Sequence, residues 1–294
     1  MSLIGNMRIA ICNEVIRSPW THVVAVISEL GYEGVEIAPY TLANDIRELN
    51  QSERRRIREE AESHGLNICG LHWLLVSPPG LHLTHPDSRV RERTVAYLGE
   101  LARLCNELGG NVMVLGSPKQ RSTLPGQGRN EAWMLLREGL RKASRLAEDH
   151  GVVIALEPLA RNLTDIINSV REALKMLEEV GSPALKINLD VYSMTDEERP
   201  YIDIIEDAGS HLVHFHANDT NGLAPGTGSA NYLEILLALK TVGYKGWLSV
   251  EILTPIDDPV SVAKAGLINL REHMFLANTY RGGCDPDNSF RTFR

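Results

Sequence analysis

Eight short apolar runs alternate with eight stretches of helical periodicity along this chain, and that alternation leaves few folds open. The first four runs are Arg8-Ile-Ala-Ile-Cys12, Gly34-Val-Glu-Ile37, residues 66–72 and residues 111–115. The last four are Val152-Val-Ile-Ala-Leu-Glu157, Leu185-Lys-Ile-Asn-Leu-Asp190, Leu212-Val-His-Phe-His216 and Trp247-Leu-Ser-Val-Glu251. Between runs, apolar residues recur at helical spacing and end at glycine: Trp20, Val23, Val24, Ile27 and Leu30 before Gly31, then Val95, Leu98, Leu101, Leu104 and Leu108 before Gly109. Further helices are predicted over 52–64, 168–180, 200–208, 232–241 and 259–280. Another carries Trp133, Leu136, Leu140 and Ala147, with Asn130 as its expected cap. Strand then helix, eight times over, predicts an α/β chain folded as a single-domain (β/α)8 TIM barrel. A doubly wound open sheet is the alternative. It would place a glycine-rich ligand turn after the first strand, and the text there is Asn13-Glu-Val-Ile-Arg-Ser18.

The length of 294 residues suits one such barrel, expected over 1–280 and followed by a polar tail or oligomer contact over 281–294. No linker or low-complexity segment divides the chain. A net charge of −8 lacks the basic footprint of a duplex-binding protein, so no nucleic-acid partner is expected. No apolar stretch reaches the roughly 20 residues of a membrane span, and the opening residues do not read as a secretory signal. Cys12, Cys69, Cys105 and Cys284 form no C-x-x-C pair, which suits a reducing cytoplasm.

The last four runs each end in a residue able to hold a metal: Glu157, Asp190, His216 and Glu251. Successive strands of a parallel barrel finish on one rim, so these side chains are expected to converge. Three carboxylates pressed together repel, and a cation removes the repulsion. Two Glu, one Asp and one His make an oxygen-rich site for a hard or borderline divalent ion such as Mn²⁺ or Mg²⁺, with coordination positions left for substrate oxygens. His216 is expected to donate its other ring nitrogen to an outer acceptor. Glu157 and Glu251 lie far enough apart around the rim to flank a substrate and move its proton.

Other candidates carry competing structural readings. Glu36 and His72 end the second and third strands and either face the cavity or serve neighbouring strands. Trp73 walls the pocket or packs. Arg161 contacts substrate or makes a surface ion pair. Asn218 opens a long loop on the same rim. His214 and Asn188 sit one layer deeper than His216 and Asp190 and read as satisfied core groups. Lys119 and Arg121 could hold a phosphate or be solvated. Three long loops, over 76–87, 116–129 and 217–230, should cover the rim that carries the site.

The runs Glu157-Pro-Leu, Leu189-Asp-Val-Tyr-Ser-Met194, His214-Phe-His216 followed by Pro225-Gly-Thr-Gly228, and Val250-Glu-Ile252 resemble the xylose isomerase-like TIM-barrel superfamily. The similarity covers nearly the whole chain. It points to the sugar isomerase/epimerase group that includes ketose 3-epimerases, hydroxypyruvate isomerase and inosose dehydratase. The resemblance implies that Glu157, Asp190, His216 and Glu251 bind one divalent metal, most often Mn²⁺, with Mg²⁺, Co²⁺ or Zn²⁺ in some members. It also implies that Glu157 and Glu251 are the acid/base pair acting through an enediolate-like intermediate. The chain departs from ketose 3-epimerases at Leu163, Ser193 and Gly222, where those enzymes carry Glu, His and Arg.

The reading is a metal-dependent isomerase or epimerase of a small sugar, sugar acid or related polyol. A dehydratase is possible within the same chemistry. An endonuclease IV-like nuclease would need further histidines, absent after Leu115 and at Ser193. A sugar-binding barrel without catalysis is the third alternative, and the intact glutamate pair argues against it. A homodimer suits the rim loops and the helical C-terminus.

Overall fold

A computed structural model describes residues 7–280. The strands are β1 (Arg8–Cys12), β2 (Gly34–Ile37), β3 (Asn67–Leu71), β4 (Val112–Leu115), β5 (Val153–Leu156), β6 (Leu185–Asp190), β7 (Leu212–Ala217) and β8 (Trp247–Val250). All pair in parallel with their sequence neighbours. β8 returns to β1, with Arg8 opposite Trp247 and Ile11 opposite Val250, so the sheet closes. The result is the single-domain (β/α)8 barrel expected from the alternation. The proposed tail over 281–294, with Cys284, lies outside the described residues.

The helices are α1 (Trp20–Leu30), α2 (Gln51–Ser63), α3 (Ser88–Glu107), α4 (Arg129–Asp149), α5 (Val170–Val180), α6 (Val191–Thr195), α7 (Tyr201–Ala208), α8 (Tyr232–Thr241) and α9 (Pro259–Thr279). Their apolar stripes pack on the outer face of the barrel: Val23, Val24 and Ile27 of α1, and Leu98, Leu101 and Leu104 of α3, are almost wholly buried. Gly31 and Gly181 end α1 and α5 at φ of 93° and 69°, a left-handed turn that glycine adopts without steric cost. Asn50 and Glu53 form a reciprocal cap on α2, one residue earlier than predicted. The cap expected at Asn130 is corrected: Gly128 precedes α4, and Asn130 lies in its first turn. The short α6 was not predicted. It begins directly on Asp190, whose side chain accepts from the Ser193 amide.

The barrel interior beneath the rim is polar, unlike the branched aliphatic filling common in this architecture. Glu36, Asn188, His214 and Ser249 are fully buried there. Among the described residues no helix is long and apolar enough to cross a membrane.

Candidate active site

The period of two along a strand sets the site. His214 and His216 of β7 face inward in successive layers, as do Asn188 and Asp190 of β6. Asp190 closes β6, Glu157 follows the last residue of β5, and Glu251 follows the last residue of β8. The structure brings Glu157, Asp190, His216 and Glu251 together, with one ligand atom from each lying within 4.8 Å of the others. His216 Nδ1 stands 3.0 Å from Glu157 Oε1 and 3.2 Å from Glu251 Oε2. All four side chains are buried and line one cavity of about 600 Å³ including its mouth. A concave cavity with a few convergent polar groups is the form that small-molecule sites take.

Each ligand-type side chain is held from behind. Asn188 Nδ2 donates to Glu157 Oε1 at 2.7 Å. The Ser193 amide donates to Asp190 Oδ1 at 2.7 Å, and Asn218 Nδ2 donates to Asp190 Oδ2. His216 Nε2 points away from the carboxylates of the cavity and toward Glu36, 3.3 Å from its Oε2. Glu36 Oε2 also accepts from His214 Nε2 at 2.8 Å. Burial alone would raise the Glu36 carboxyl, but His214 and His216 outweigh it and hold Glu36 well below the usual carboxylate range.

Electrostatics among the protein groups call for a cation. Burial, with Glu251 and Glu157 nearby, pushes the Asp190 carboxyl up to about 7. Burial would likewise raise Glu251, yet His216 and His72 bring it down to about 2. Burial pulls His216 down, and the charges of Glu251, Glu36 and Glu157 overcome it and lift the imidazole well above its ordinary value. A divalent ion held by the quartet would meet that demand for positive charge. Three carboxylates and an imidazole nitrogen in one buried cluster fit such an ion on donor chemistry. His216 would offer Nδ1 to such an ion, with Nε2 donating to Glu36 as the outer acceptor.

The other sequence candidates divide. His72 and Trp73 line the cavity. His72 Nε2 donates to Glu14 Oε2 at 2.9 Å, and its Nδ1 lies 3.6 Å from Glu251 Oε1. Burial lowers the His72 imidazole, but Glu14, Glu251 and Glu36 outweigh it and raise it to about 10. Glu36 does not line the cavity. It sits beneath it, because β2 directs it to the layer of His214. Asn218 is buried too and reaches Asp190 rather than the cavity; its Oδ1 accepts from the Tyr192 amide at 2.8 Å. Arg161 is exposed and pairs with Asp196 at 3.0 Å, the surface ion pair that was its competing reading. Arg121 is fully buried and donates to the carbonyls of Gly116, Ile166 and Glu157 at 2.6–3.0 Å, so it does not reach out for a phosphate. Lys119 does not line the cavity either.

Three contributors escaped the sequence, and a fourth, Ser193, stands out there only as a departure from the ketose 3-epimerases. Glu14 lies in a one-turn segment after β1, where no periodicity marks it. Gly116 directly follows β4, where a Cβ would overlap Glu157 Oε2, so the carboxylate occupies the space that glycine leaves. Ser193 lines the cavity with a buried Oγ that has no hydrogen-bond partner among the described residues. Asp219 gathers the long loop after β7 by accepting from the amides of Thr220, Gly226 and Ala230. The Asp-Thr-Asn-Gly turn text was the one available signal for it.

A family model described as a xylose isomerase-like TIM barrel matches residues 24–273. A protein from Synechocystis sp. described as a probable ketose 3-epimerase is 28% identical over 231 residues, which cover 75% of this chain and 74% of that protein. A fructoselysine 3-epimerase from Escherichia coli O157:H7 is 24% identical over 264 residues, covering 87% of this chain and 94% of that one. The D-psicose 3-epimerase structure from Clostridium cellulolyticum H10, solved with D-tagatose, superposes with a TM-score of 0.79 at 20% identity. It covers 91% of this chain and 99% of that structure's chain, a likeness of fold.

Proposed function

Because the chain belongs to the xylose isomerase-like TIM-barrel family, we propose that it is a divalent-metal-dependent epimerase of a small keto sugar. The observation that carries this reading is that Glu157 and Glu251, from different strands, both reach Nδ1 of His216, at 3.0 and 3.2 Å, in one buried cavity. The names of the ketose and fructoselysine 3-epimerases among its relatives support the same substrate class.

A divalent ion at the quartet, for which we favour Mn²⁺, supplies Lewis acidity that polarises a substrate carbonyl and acidifies the adjacent C–H bond. The chain's own groups then move the proton. Glu251, held as a carboxylate by His216 and His72, takes the proton from one face of the carbon, and the electron pair passes toward the carbonyl to give the enediolate form of the sugar. Glu157 delivers a proton to the opposite face and inverts the centre. The reverse reaction exchanges the two roles. Asn188 fixes the Glu157 carboxylate, and His72, anchored on Glu14, steadies Glu251. Apolar Val114, Leu159 and Leu163 on the cavity wall help keep water from the charged intermediate.

The test is solvent-deuterium incorporation into ketohexoses and ketopentoses with Mn²⁺ present. Exchange at a single carbon is expected. Glu251→Gln should lose it by roughly 10²–10⁴-fold, the usual worth of a positioned acid or base. Full activity in that variant removes Glu251 from the reaction, and no exchange in any ketose overturns the epimerase reading. Phe275 and Leu276, exposed on α9, support a homodimer as the working assembly, which sedimentation checks.

A further inference from the structure

Two clefts meet at this site, and they share two residues, Trp73 and Leu253. The inner one holds the acidic quartet. The outer one is larger, about 1280 Å³ including its open side, and runs along the segment after β1 and the segment after β8. The Glu14–His72 hydrogen bond also joins them: Glu14 lines the outer cleft and His72 the inner. Trp73 occupies this junction with φ of 50°, a left-handed backbone that bulky residues seldom adopt and that clusters at ligand sites.

The charged groups are unevenly divided. In the inner cleft they gather at the quartet, with His72 beside it, and the lining also includes Leu163, an exposed apolar side chain. In the outer cleft the charged residues are one acid, Glu14, and one base, Arg17, which cancel, and Glu14 is already engaged by His72. Half-buried Ile252 and Ile256 and the exposed ring of Tyr40 supply an apolar strip, flanked by the uncharged polar groups of Asn13, Ser18, Thr41 and Thr254. A free monosaccharide fills the inner cleft and leaves this surface in water. A sugar with a substituent fills both.

We propose that the substrate is a keto sugar bearing an uncharged substituent with an apolar part, with its carbonyl and hydroxyl oxygens in the inner cleft and the substituent passing between Trp73 and Leu253 into the outer cleft. The proposal rests on the epimerase reading for the sugar half only. Burial of the substituent on Tyr40 and Ile256 adds hydrophobic affinity that the free sugar lacks.

D-Fructose and 1-deoxy-1-phenylamino-D-fructose are suitable probes, titrated calorimetrically against the full chain with Mn²⁺ and followed in parallel for deuterium exchange. The phenyl derivative should bind at least tenfold more tightly. Ile256→Glu, which places a charge in the outer cleft, should cut that preference by about tenfold, and Tyr40→Ala, at a separate lining position, gives a second reading. Equal or weaker binding of the phenyl derivative, no binding by either probe, or a preference untouched in both variants overturns the proposal. Tight binding without exchange of either probe upholds the two-cleft site and overturns the epimerase reading instead.

Discussion

Nε2 of His216 lies 3.3 Å from Oε2 of Glu36, on the side of the ring away from the cavity. The pair fixes which nitrogen faces the carboxylate cluster. Glu36→Gln keeps the shape and removes the charge that accepts from the ring. Loss of such outer partners weakens metal binding by roughly 10–100-fold, and a Mn²⁺ titration of the variant should show that drop. Unchanged affinity would mean that packing alone orients His216.

Gly116 and Glu157 make a second coupling. Gly116→Ala forces the Glu157 carboxylate to move, although Asn188 and His216 hold it in place. A displacement near 1 Å from productive geometry costs about 100-fold in turnover. The thermal midpoint should stay within about 2 °C of the parent, roughly 1 kcal/mol for a chain of this size. Normal turnover in Gly116→Ala would show that Glu157 has slack the structure does not suggest.

Metal binding should strengthen with pH. Burial and the neighbouring glutamates lift Asp190 to about 7 in the folded protein, above the ordinary Asp value near ~3.9. Between those values the folded chain keeps a proton that the unfolded chain has released. Stability in chelator therefore has this contribution in full below the unfolded value and loses it as pH rises through about 7. A cation needs the carboxylate, so binding releases the proton and becomes tighter over the same window. The rise in thermal midpoint on adding Mn²⁺ should be small at pH 5.5 and several-fold larger at pH 7.5. A rise independent of pH would sink the assignment of Asp190 as a ligand.

Arg121 is a test of structure rather than chemistry. Its guanidinium is dry, lowered to about 10 by burial, and joins the loops after β4 and β5 through three carbonyls. Arg121→Met leaves those carbonyls unpaired and should cost on the order of 2–4 kcal/mol, read as a fall in urea midpoint. Lost turnover with unchanged stability would instead make Arg121 a direct participant.

The strand and helix pattern was legible because periodicity is local. Val23, Val24 and Ile27 share a helical face in any context, and the strand bounds found at β1 and β2 are those predicted. Helix starts were less legible where the cap is not a side chain, as at Gly128. The ligand-type residues were readable because parallel strands end on one rim, which turns a one-dimensional position into a shared place. The roles of Glu36, Asn218 and Arg161 were not readable in that way. All three are polar residues near strand ends, yet one supports His216, one holds Asp190 and one pairs on the surface.

Sequence by itself therefore determined the barrel and which four side chains could meet, since both follow from repeat and parity along single segments. Tertiary structure alone decided that Glu14 backs His72 across 58 positions, that Gly116 leaves room for Glu157, and that a second cleft opens beside Trp73. Those relations depend on curvature, strand register and loop path, which arise only when distant segments pack and which no local pattern encodes.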